Sequence, residues 1–446
     1  MTKERIFTLE TRLSKEEAAY FADYIGFYCK VYREVWQDYI HGEALSSKYV
    51  TFICRKHNLM KRTVNSIVRD VKGRHRALQE LQNQQCSSLS HKIQAIDERI
   101  IELKHDINIL SKLAGGNKLD SKNMVKYKNK KRRLFALQQK RLKYKNSIER
   151  MTNISKLSFG SKEFWLKQYH LGENGFKSYA GWYNQYVRKR DKYIYYIGSS
   201  DETCGNQMFQ MKYDENIDCF HCKIRRENAY SQEDKYLYLS VNFKSPRRSI
   251  LIGMLKYSQA MSYRILRRGR KWYLQVMFSA SFDILTDKKY GCFGVDFNNG
   301  FLAVTETDTK GNIVDTGVFE LNYHGGGSKA KTEMEEVVKN LVFMCREYNK
   351  ALVIEDLDFR KKKSGTLHKT NKQYNKMLHR LDYSRFAQLC DNCATTYGVE
   401  LIKVNPAYTS QIAKQKYCKQ RKLNIHIGAS YIIARRGQGF QDKLTA

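Results

Sequence analysis

Hydrophobic residues recur at spacings of three and four through most of the first half of the chain, which is typical of amphipathic helices. Isoleucine and leucine keep this spacing over residues 93–110, and a Gly-Gly-Asn break follows at 115–117. Leu134, Leu137, Leu142 and Ile148 lie on the expected apolar side of a second helix. The pattern therefore predicts a long antiparallel helical hairpin.

Alternation of hydrophobic and polar residues replaces the helical spacing after Thr152 and predicts β-strands. Every second residue from Leu237 to Phe243 is apolar, so one face of this strand is expected to be buried. A further short strand is expected over residues 6–13. Together these segments predict a small β-barrel, whose later strands begin near Lys192, Lys235, Ser249 and Lys271.

Strands and helices alternate from Gly291 onward, which indicates an α/β layer domain. The fold class we predict is α+β and multidomain. Strands are expected around Asp296, Ile313, Ile354 and Leu401, and helices over 331–348, over 383–397 and from Ile425. The changes of pattern divide the chain into residues 1–13, 14–151, 152–289 and 290–446.

Charge points to a polyanionic partner. The 446 residues contain 80 Lys+Arg and 45 Asp+Glu, a formal net charge of 80 − 45 = +35, and 42% of them are hydrophobic. Such a chain folds, but its self-repulsion favours binding to nucleic acid. Between residues 122 and 150 there are twelve Lys or Arg and one acid. Contacts are predicted there for Lys130, Lys131, Arg132 and Arg133, and in a turn between two strands for Arg267, Arg268 and Arg270.

The helix that begins at Lys61 combines the residue types that hydrogen-bond to base edges. Arg and Asn do so through two bonds at once. We therefore predict a contact with duplex DNA, the alternative being a contact with scaffold RNA or phosphate. The predicted residues are Arg62, Asn65, Ser66 and Arg69.

Neither a membrane nor secretion is expected from the sequence. A run of about 18 apolar residues is absent, and the N-terminal MTKERIFTLETRL has no apolar core of a signal peptide. Eleven cysteines without a disulfide framework fit reduced thiols. We expect a cytoplasmic protein.

Two carboxylates occur inside apolar strands. Asp296 lies between Val295 and Phe297, and Glu355 ends the run ALVIE. A carboxylate is costly to bury unless it binds a cation. Acids at the ends of neighbouring strands can share divalent ions, which would assist phosphodiester cleavage.

These strands belong to segments that resemble the TnpB family, transposon-encoded relatives of type V CRISPR effectors. GVDFNNGFLAVTETDTKGNIV and VIEDLDF are similar to its first two nuclease motifs, and VNPAYTSQIAK to the stretch before the third. The resemblance implies a guide RNA and a target double-stranded DNA as partners. It implies a helical recognition lobe at 14–151, inserted in a wedge β-barrel formed by 1–13 and 152–289. It also implies an RNase H-like, RuvC-type nuclease domain at 290–446. Asp296 and Glu355 match the first two catalytic carboxylates.

The chain departs from the family at the zinc finger, because only Cys418 lies between Ser410 and His426. A structural zinc ion needs four ligands. Pairs of cysteines occur elsewhere, at Cys219 and Cys222 with His221 between them, and at Cys390 and Cys393. Neither pair has a second pair near it in the sequence, and we expect no zinc.

The third catalytic acid of the family is replaced by His426. A zinc-finger-less subgroup of the family has a similar histidine. His426 is predicted either to bind the metal as its third ligand or to transfer a proton, with Asn424 as the helix N-cap before it. A lost active site, or Asp391 as a substitute acid, are the alternatives. Imidazole favours Mn²⁺ over the harder Mg²⁺.

Two further basic segments flank these strands. Glycines at 325–327 precede Lys329 and Lys331 without the spacing of a P-loop. They predict a lid whose lysines contact phosphate, or else a plain flexible loop. Arg360 and Lys361 follow Glu355 closely and are predicted to guide a strand, the alternative being an ordinary charged loop.

Taken together, the sequence predicts an RNA-guided DNA endonuclease that recognises DNA beside a short target-adjacent motif. It would cut with Mg²⁺ or Mn²⁺ at Asp296, Glu355 and His426. The alternatives are a repressor-like protein that binds DNA through a guide without cutting it, and a transposition factor that uses no guide.

Overall fold

The computed structural model describes residues 2–115, 120–152, 162–228, 234–257, 259–298, 300–321, 327–357 and 383–444. The chain divides into two compact units. One contains Met1–Arg5, Gln85–Met151 and Ser281–Ala446, and the other contains Ile6–Gln84 and Thr152–Ala280. The sequence predicts four consecutive regions, which these two units do not test, so that division stays a prediction.

Helices predominate from Ala19 to Arg190, strands predominate from Tyr193 to Glu320, and helices and strands alternate from Gly327 to Val404. The helices of the described residues are α1 (Ala19–Ile40), α2 (Ser47–His57), α3 (Lys61–Gly115), α4 (Ser121–Thr152), α5 (Lys162–Leu166), α6 (Tyr179–Arg190), α7 (Arg248–Leu255), α8 (Gly327–Glu347), α9 (Tyr383–Tyr397), α10 (Thr409–Ala413) and α11 (Ile425–Gln438). The strands are β1 (Thr2–Leu13), β2 (Tyr193–Tyr196), β3 (Phe209–Asp214), β4 (Cys219–Arg225), β5 (Tyr236–Val241), β6 (Met261–Arg268), β7 (Lys271–Asp283), β8 (Cys292–Asn298), β9 (Phe301–Thr307), β10 (Ile313–Glu320), β11 (Ala351–Glu355) and β12 (Leu401–Val404).

A five-stranded sheet forms the centre of the C-terminal region, in the order β10-β9-β8-β11-β12. β10, β9 and β8 are antiparallel neighbours, whereas β8, β11 and β12 are parallel. Helices cover both faces of the sheet, because its central strands β9, β8 and β11 are buried on both sides. Phe293, Val295 and Ile354 pack against α8 and α9. On the other face Cys292 and Val353 pack against α11. The strands and helices predicted here are confirmed.

The predicted helical hairpin is confirmed in α3 and α4. Ion pairs join Lys130 to Asp106 and Arg141 to Asp97, which aligns the two helices antiparallel. A small core lies between the helices and contains Ile96, Ile100, Leu103 and Leu137. Leu142, expected on the apolar side of α4, is instead exposed.

The strands before residue 284 form two open sheets. One has the order β1-β7-β6-β2 and the other the order β3-β4-β5. The closed barrel that the sequence predicts is not found among the described residues. Among the strands that the structure describes, β1 and β2 end the four-stranded sheet without pairing to each other, and β3–β5 pair only among themselves.

The strand predicted from Ser249 is wrong, because this segment forms α7. A short apolar run fits a helix as well as a strand. The helical geometry here buries Leu251 and leaves Ile250, Ile252 and Leu255 partly exposed.

Within the described ranges, no helix is long and apolar enough to span a bilayer.

Candidate active site

Asp296 and Glu355 lie at matching positions on neighbouring parallel strands. The register of β8 and β11 pairs residues 292–295 with residues 351–354 in order, so one further step brings Glu355 alongside Asp296. Adjacent strands are about 4.8 Å apart, and matched residues of parallel strands project to the same face. The two carboxylates predicted from the sequence are therefore neighbours at the carboxyl end of both strands.

The face to which they project is the one covered by α11. A strand alternates its side chains between faces, and Gly294, two residues before Asp296, lies against the backbone of Ser430 and Ala434 in α11. On β11, Val353 likewise lies against Gly437 of this helix. Both acids consequently point to the same side as α11.

His426 lies in the first turn of α11, against Asp296. Its Nδ1 is 3.2 Å from Oδ2 of Asp296. The imidazole contacts the ring of Phe301 edge-on, with centroids 5.1 Å apart and planes at 85°. Its side chain is 43% exposed, against 14% for Asp296. The histidine is thus fixed on one side and open to solvent on the other.

Asn424 caps α11 as the sequence predicts. Its side-chain oxygen accepts hydrogen bonds from the backbone N–H groups of His426 at 3.0 Å and Ile427 at 2.8 Å. Such a cap contributes about 1 kcal/mol to helix stability. It also fixes where the helix begins, and therefore where the imidazole lies.

Hydrogen bonds within the interface hold α11 close to the sheet. The Thr305 hydroxyl on β9 lies 2.6 Å from the Ser430 hydroxyl and 3.2 Å from the carbonyl oxygen of Ile427. This approach requires Gly294, because any side chain there would overlap the helix backbone. The first turn of α11 is consequently anchored over the strand that carries Asp296.

Two neighbours orient the carboxylates. The amide Nδ2 of Asn298 donates to Oδ2 of Asp296 at 2.8 Å. The hydroxyl of Thr409, at the start of α10, donates to Oε1 of Glu355 at 2.8 Å. Glu355 is 8% exposed and Thr409 is 5% exposed, so neither bond is exchanged readily with water.

The backbone around Glu355 is also fixed. Tyr383 of α9 donates its hydroxyl hydrogen to the carbonyl oxygen of Glu355. Burial and the nearby charge of Glu355 raise the pKa of Tyr383, so it remains a donor. Arg436 donates to the carbonyl oxygens of Asn405 and Ala407, which holds the segment leading to Thr409.

The donor set fits a hard divalent cation. Mg²⁺ usually binds through one or two carboxylates together with water and substrate phosphates, and Asp296 with Glu355 supplies such a pair. A complete cage is not formed: among the residues that the structure describes, no three His, Cys, Asp or Glu side chains group to hold a metal ion. Asp391 does not complete it, since α9 covers the opposite face of the sheet and Asp391 lies 3.9 Å from Lys3.

The residues predicted to contact duplex DNA are not all on the surface. Ser66 is 3% exposed, and its hydroxyl accepts a hydrogen bond from the backbone N–H of Ile197. Ser66 is therefore not available to contact DNA as the sequence predicts. Arg62 forms an ion pair with Glu202. Asn65 is half-buried and Arg69 is exposed.

The basic residues of α4 mostly face solvent. Lys131, Arg132 and Arg133 are exposed, whereas Lys130 is paired with Asp106. This arrangement leaves three adjacent cations on the outer face of the hairpin.

Two of the three arginines predicted at the turn between β6 and β7 make contacts with neighbouring side chains. Arg268 pairs with both oxygens of Glu10 at 2.7 and 2.8 Å. Arg267 packs over Trp272, 5.7 Å from the ring centre, and Arg270 is exposed.

Only one of the four cations predicted beside the active site has a side chain within the described residues. Lys331 is exposed on α8. The side chain of Lys329, and Arg360 and Lys361 altogether, lie outside the described residues.

The two pairs of cysteines lie on β4 and α9. Cys219 and Cys222 lie three apart on β4, so their side chains project to opposite faces. His221 hydrogen-bonds to Ser240 at 3.0 Å. Cys390 is buried within the core and Cys393 packs against it.

Asn298, Thr409 and Tyr383 were missed by sequence reasoning. Asn298 could have been found, because it follows Asp296 by two residues and so shares its face of β8. Thr409 and Tyr383 reach Glu355 only through the folding of distant segments, which no local pattern encodes.

Comparison with known proteins gave structural similarity only. No protein-family model matches the chain, and no curated protein is significantly similar in sequence. A Cas12f1–sgRNA–target DNA complex is 13% identical with a TM-score of 0.38, covering 97% of this chain and 99% of that one. T. thermophilus RuvC with a Holliday junction substrate is 13% identical with a TM-score of 0.25, covering 32% and 89%. The Cas12i1 R-loop complex after target DNA cleavage is 10% identical with a TM-score of 0.27, covering 86% and 49%.

Proposed function

We propose that this protein is an RNA-guided DNA endonuclease, as the TnpB resemblance implies. The observation on which the proposal depends is the matched position of Asp296 and Glu355 on adjacent parallel strands, with His426 against Asp296. Neighbouring carboxylates with little exposure repel each other, which costs free energy unless a cation lies between them. Such a pair has an evident use in phosphodiester hydrolysis.

Asp296 and Glu355 are the residues that would hold Mg²⁺ or Mn²⁺. A bound divalent ion supplies Lewis-acid polarisation of the scissile phosphate. The protein itself contributes orientation: Asn298 fixes Oδ2 of Asp296, and Thr409 fixes Oε1 of Glu355. Removal of a group that holds a metal-binding carboxylate in place typically lowers metal affinity or activity by about 10–100-fold.

His426 orients Asp296 in this proposal, rather than acting as a third metal ligand. A carboxylate only accepts hydrogen bonds, so Nδ1 is assigned the proton and its N–H donates a hydrogen bond to Oδ2. Nε2 is then an acceptor on the solvent side of the ring, where it could take a proton from water or from the substrate. Of the two roles that the sequence leaves open, the hydrogen bond supports proton handling.

The RNA and DNA partners follow from charge. A net charge of +35 favours a long polyanion, and Lys131, Arg132 and Arg133 present adjacent cations on the hairpin. We assign these three to guide RNA or to the guide–target duplex. Asn65 and Arg69 are the remaining candidates for the target-adjacent DNA.

The proposed layout keeps the four regions of the sequence. Residues 14–151 would form the recognition lobe, 1–13 with 152–289 the wedge, and 290–446 the RuvC-type nuclease domain. Three antiparallel strands followed by two parallel ones support an RNase H-like assignment of the last region.

Sequencing of co-purified RNA tests the proposal. The protein should carry a defined RNA of more than a hundred or so nucleotides, since a scaffold and a guide of about 20 nucleotides are both needed. Loading with that RNA should confer binding to a DNA that matches the guide. Absence of a defined RNA would favour the transposition factor, and guided binding without cutting would favour the repressor-like protein.

A further inference from the structure

A basic turn leads directly into the active site. Residues 414–424, named the basic turn here, connect α10 to α11 and contain five Lys or Arg and no acid. Lys414, Lys419, Arg421 and Lys422 are all exposed. Among the described residues, none of these four is in an ion pair. The turn ends at Asn424, the cap that positions His426.

The basic turn is held against α11 by aromatic contacts. Tyr417 packs edge-on against Tyr431, with ring centroids 5.0 Å apart and planes at 77°. The guanidinium of Arg421 lies over the same ring, 5.5 Å from its centre. The segment that carries these cations is therefore packed against α11.

Asp442 fastens the turn to the helix. Its Oδ1 accepts the hydroxyl hydrogen of Tyr417 at 2.9 Å, and its Oδ2 accepts from Nε of Arg435 at 2.8 Å. The Asp442 side chain is only 7% exposed. One buried carboxylate thus joins the turn to α11 through two charge-assisted hydrogen bonds, one from a neutral hydroxyl and one from a guanidinium.

The turn also packs beneath the first turn of α11. Gly428, two residues after His426, has no room for a side chain: a Cβ there would be 2.9 Å from Sγ of Cys418 and from Cβ of Ala413. The backbone N–H of Leu423 donates to the carbonyl oxygen of Cys418 at 3.1 Å. Movement of the turn would therefore displace the helix start that bears His426.

We propose that the basic turn binds the phosphate backbone of the single DNA strand that enters the active site, with Lys419, Arg421 and Lys422 as its contacts. This rests on the proposed function and adds to it the surface that holds the strand. Lys and Arg supply most contacts that position a nucleic-acid backbone. Asp442 is a positioning residue in this proposal, because it acts through Tyr417.

Local cross-linking tests the contact without requiring cleavage. The photoreactive residue p-benzoylphenylalanine is placed at Gln420, among the three cations, in the RNA-loaded protein with Asp296→Asn. The control position is Lys339, exposed on α8, which covers the face of the sheet opposite to α11. The proposal predicts cross-links from 420 to one strand of a matched target and none from 339. Equal cross-linking at both positions, or none at 420 when the target is bound, would overturn it.

Charge removal supplies the second measurement. Lys419→Gln, Arg421→Gln and Lys422→Gln together should weaken binding of a 15-nucleotide single-stranded DNA. Each lost phosphate contact lowers the slope of log affinity against log salt by about 0.7, so the slope should fall by roughly 2. The matched control removes three exposed cations outside the turn, Lys288, Lys339 and Arg346, by the same substitution. A control variant that loses as much affinity and slope would contradict the proposal.

The part played by Asp442 is tested by non-additivity. In the otherwise unchanged protein, Asp442→Ala and Tyr417→Phe should each weaken cross-linking from position 420. In the variant that lacks the charges of Lys419, Arg421 and Lys422, adding either substitution should weaken cross-linking no further. Full additivity would show that Asp442 acts elsewhere. Should the triple variant fail to fold, Lys419→Gln with Lys422→Gln spares the stacked Arg421 and keeps the test. The outcome is independent of cutting, so an inactive wild type would overturn the proposed function alone.

Discussion

Nδ1 of His426 lies 3.2 Å from Oδ2 of Asp296, although 130 residues separate them in the sequence. The contact joins the start of α11 to the end of β8. It gives the imidazole one nitrogen that holds a carboxylate and a second that faces solvent. The role of His426 depends on whether the site needs only the nitrogen that holds Asp296 or also the second nitrogen.

Substitutions of His426 that keep one nitrogen position at a time distinguish the roles. Asn places an N–H near the position of Nδ1, whereas Gln extends toward that of Nε2. If His426 serves only to orient Asp296, His426→Asn should retain most activity. His426→Gln and His426→Ala should then lose about 10–100-fold. Cleavage rates of a matched target under single-turnover conditions measure this.

Loss of activity in all three variants would show that Nε2 is needed as well, either for the proposed proton transfer or as a metal ligand. His426→Asp separates these two outcomes. A restored carboxylate should keep cutting and shift the preference from Mn²⁺ toward Mg²⁺ if the position is a ligand. An inactive His426→Asp with unchanged metal preference would support proton transfer.

Thr409→Val removes the hydroxyl that holds Glu355 while keeping the shape of the side chain. Loss of this buried hydrogen bond to a carboxylate should cost about 1.5–3 kcal/mol of stability, and cleavage should fall by about 10–100-fold. Thermal unfolding and cleavage rates are measured in parallel. Thr409→Ser, which keeps the hydroxyl, is the control and should stay near wild type. Equal losses in both variants would show that packing, rather than the hydrogen bond, matters at this position.

The C-terminal sheet and its carboxylate pair could be predicted from the sequence, because apolar strands there alternate with amphipathic helices. An acid inside such a strand, as at Asp296, is conspicuous for its cost of burial. The hairpin was predictable for a related reason, since its Gly-Gly-Asn break interrupts a long regular spacing.

Other features depend on contacts that local patterns do not encode. The run from Ser249 is apolar enough for a strand, but it folds as α7 with Leu251 inward. Ser66 shares a helix face with polar residues, yet it is buried and bonded to Ile197. Whether strands close into a barrel depends on which edges meet, and here β1 and β2 remain edges of one sheet.

Gly294→Ala tests whether close packing of α11 on β8 sets the site. The added methyl group would overlap the backbone of Ser430 and Ala434, and overpacking costs about 1–3 kcal/mol. The unfolding temperature should fall and cleavage should weaken with it. Gly317→Ala on β10 is the control, since its nearest neighbour would be Phe319 at 4.0 Å. A Gly294→Ala protein as stable as Gly317→Ala would contradict the packing described.

Stability should depend on pH through Glu227. This side chain is 1% exposed, and burial raises its pKa above the usual 4.5, against the opposing hydrogen bonds from Met60 and Thr63. The folded state therefore holds this proton more tightly than the unfolded chain. Its contribution is fully present below about pH 4.5 and is lost as pH rises through the folded pKa.

Comparison with Glu227→Gln isolates this effect. The free energy of unfolding of the wild type, relative to the variant, should decrease as pH rises from 4.5 to 7.5. The change amounts to about 1.4 kcal/mol for each unit of pKa difference. Urea unfolding at several pH values measures it. A difference between the two proteins that stays constant with pH would contradict the assignment.

Cleavage of a guide-matched target by the RNA-loaded wild type and its Asp296→Asn variant tests the central claim most directly. Asp315→Asn, an exposed acid on β10 of the same sheet, serves as the matched control. We predict cutting by the wild type and the control in Mg²⁺ or Mn²⁺, none in EDTA, and a loss of more than about 100-fold in Asp296→Asn. DNA binding should be unchanged throughout. Cutting by Asp296→Asn at the wild-type rate, or an intact target with the wild type in both metals, would contradict a nuclease site at Asp296 and Glu355.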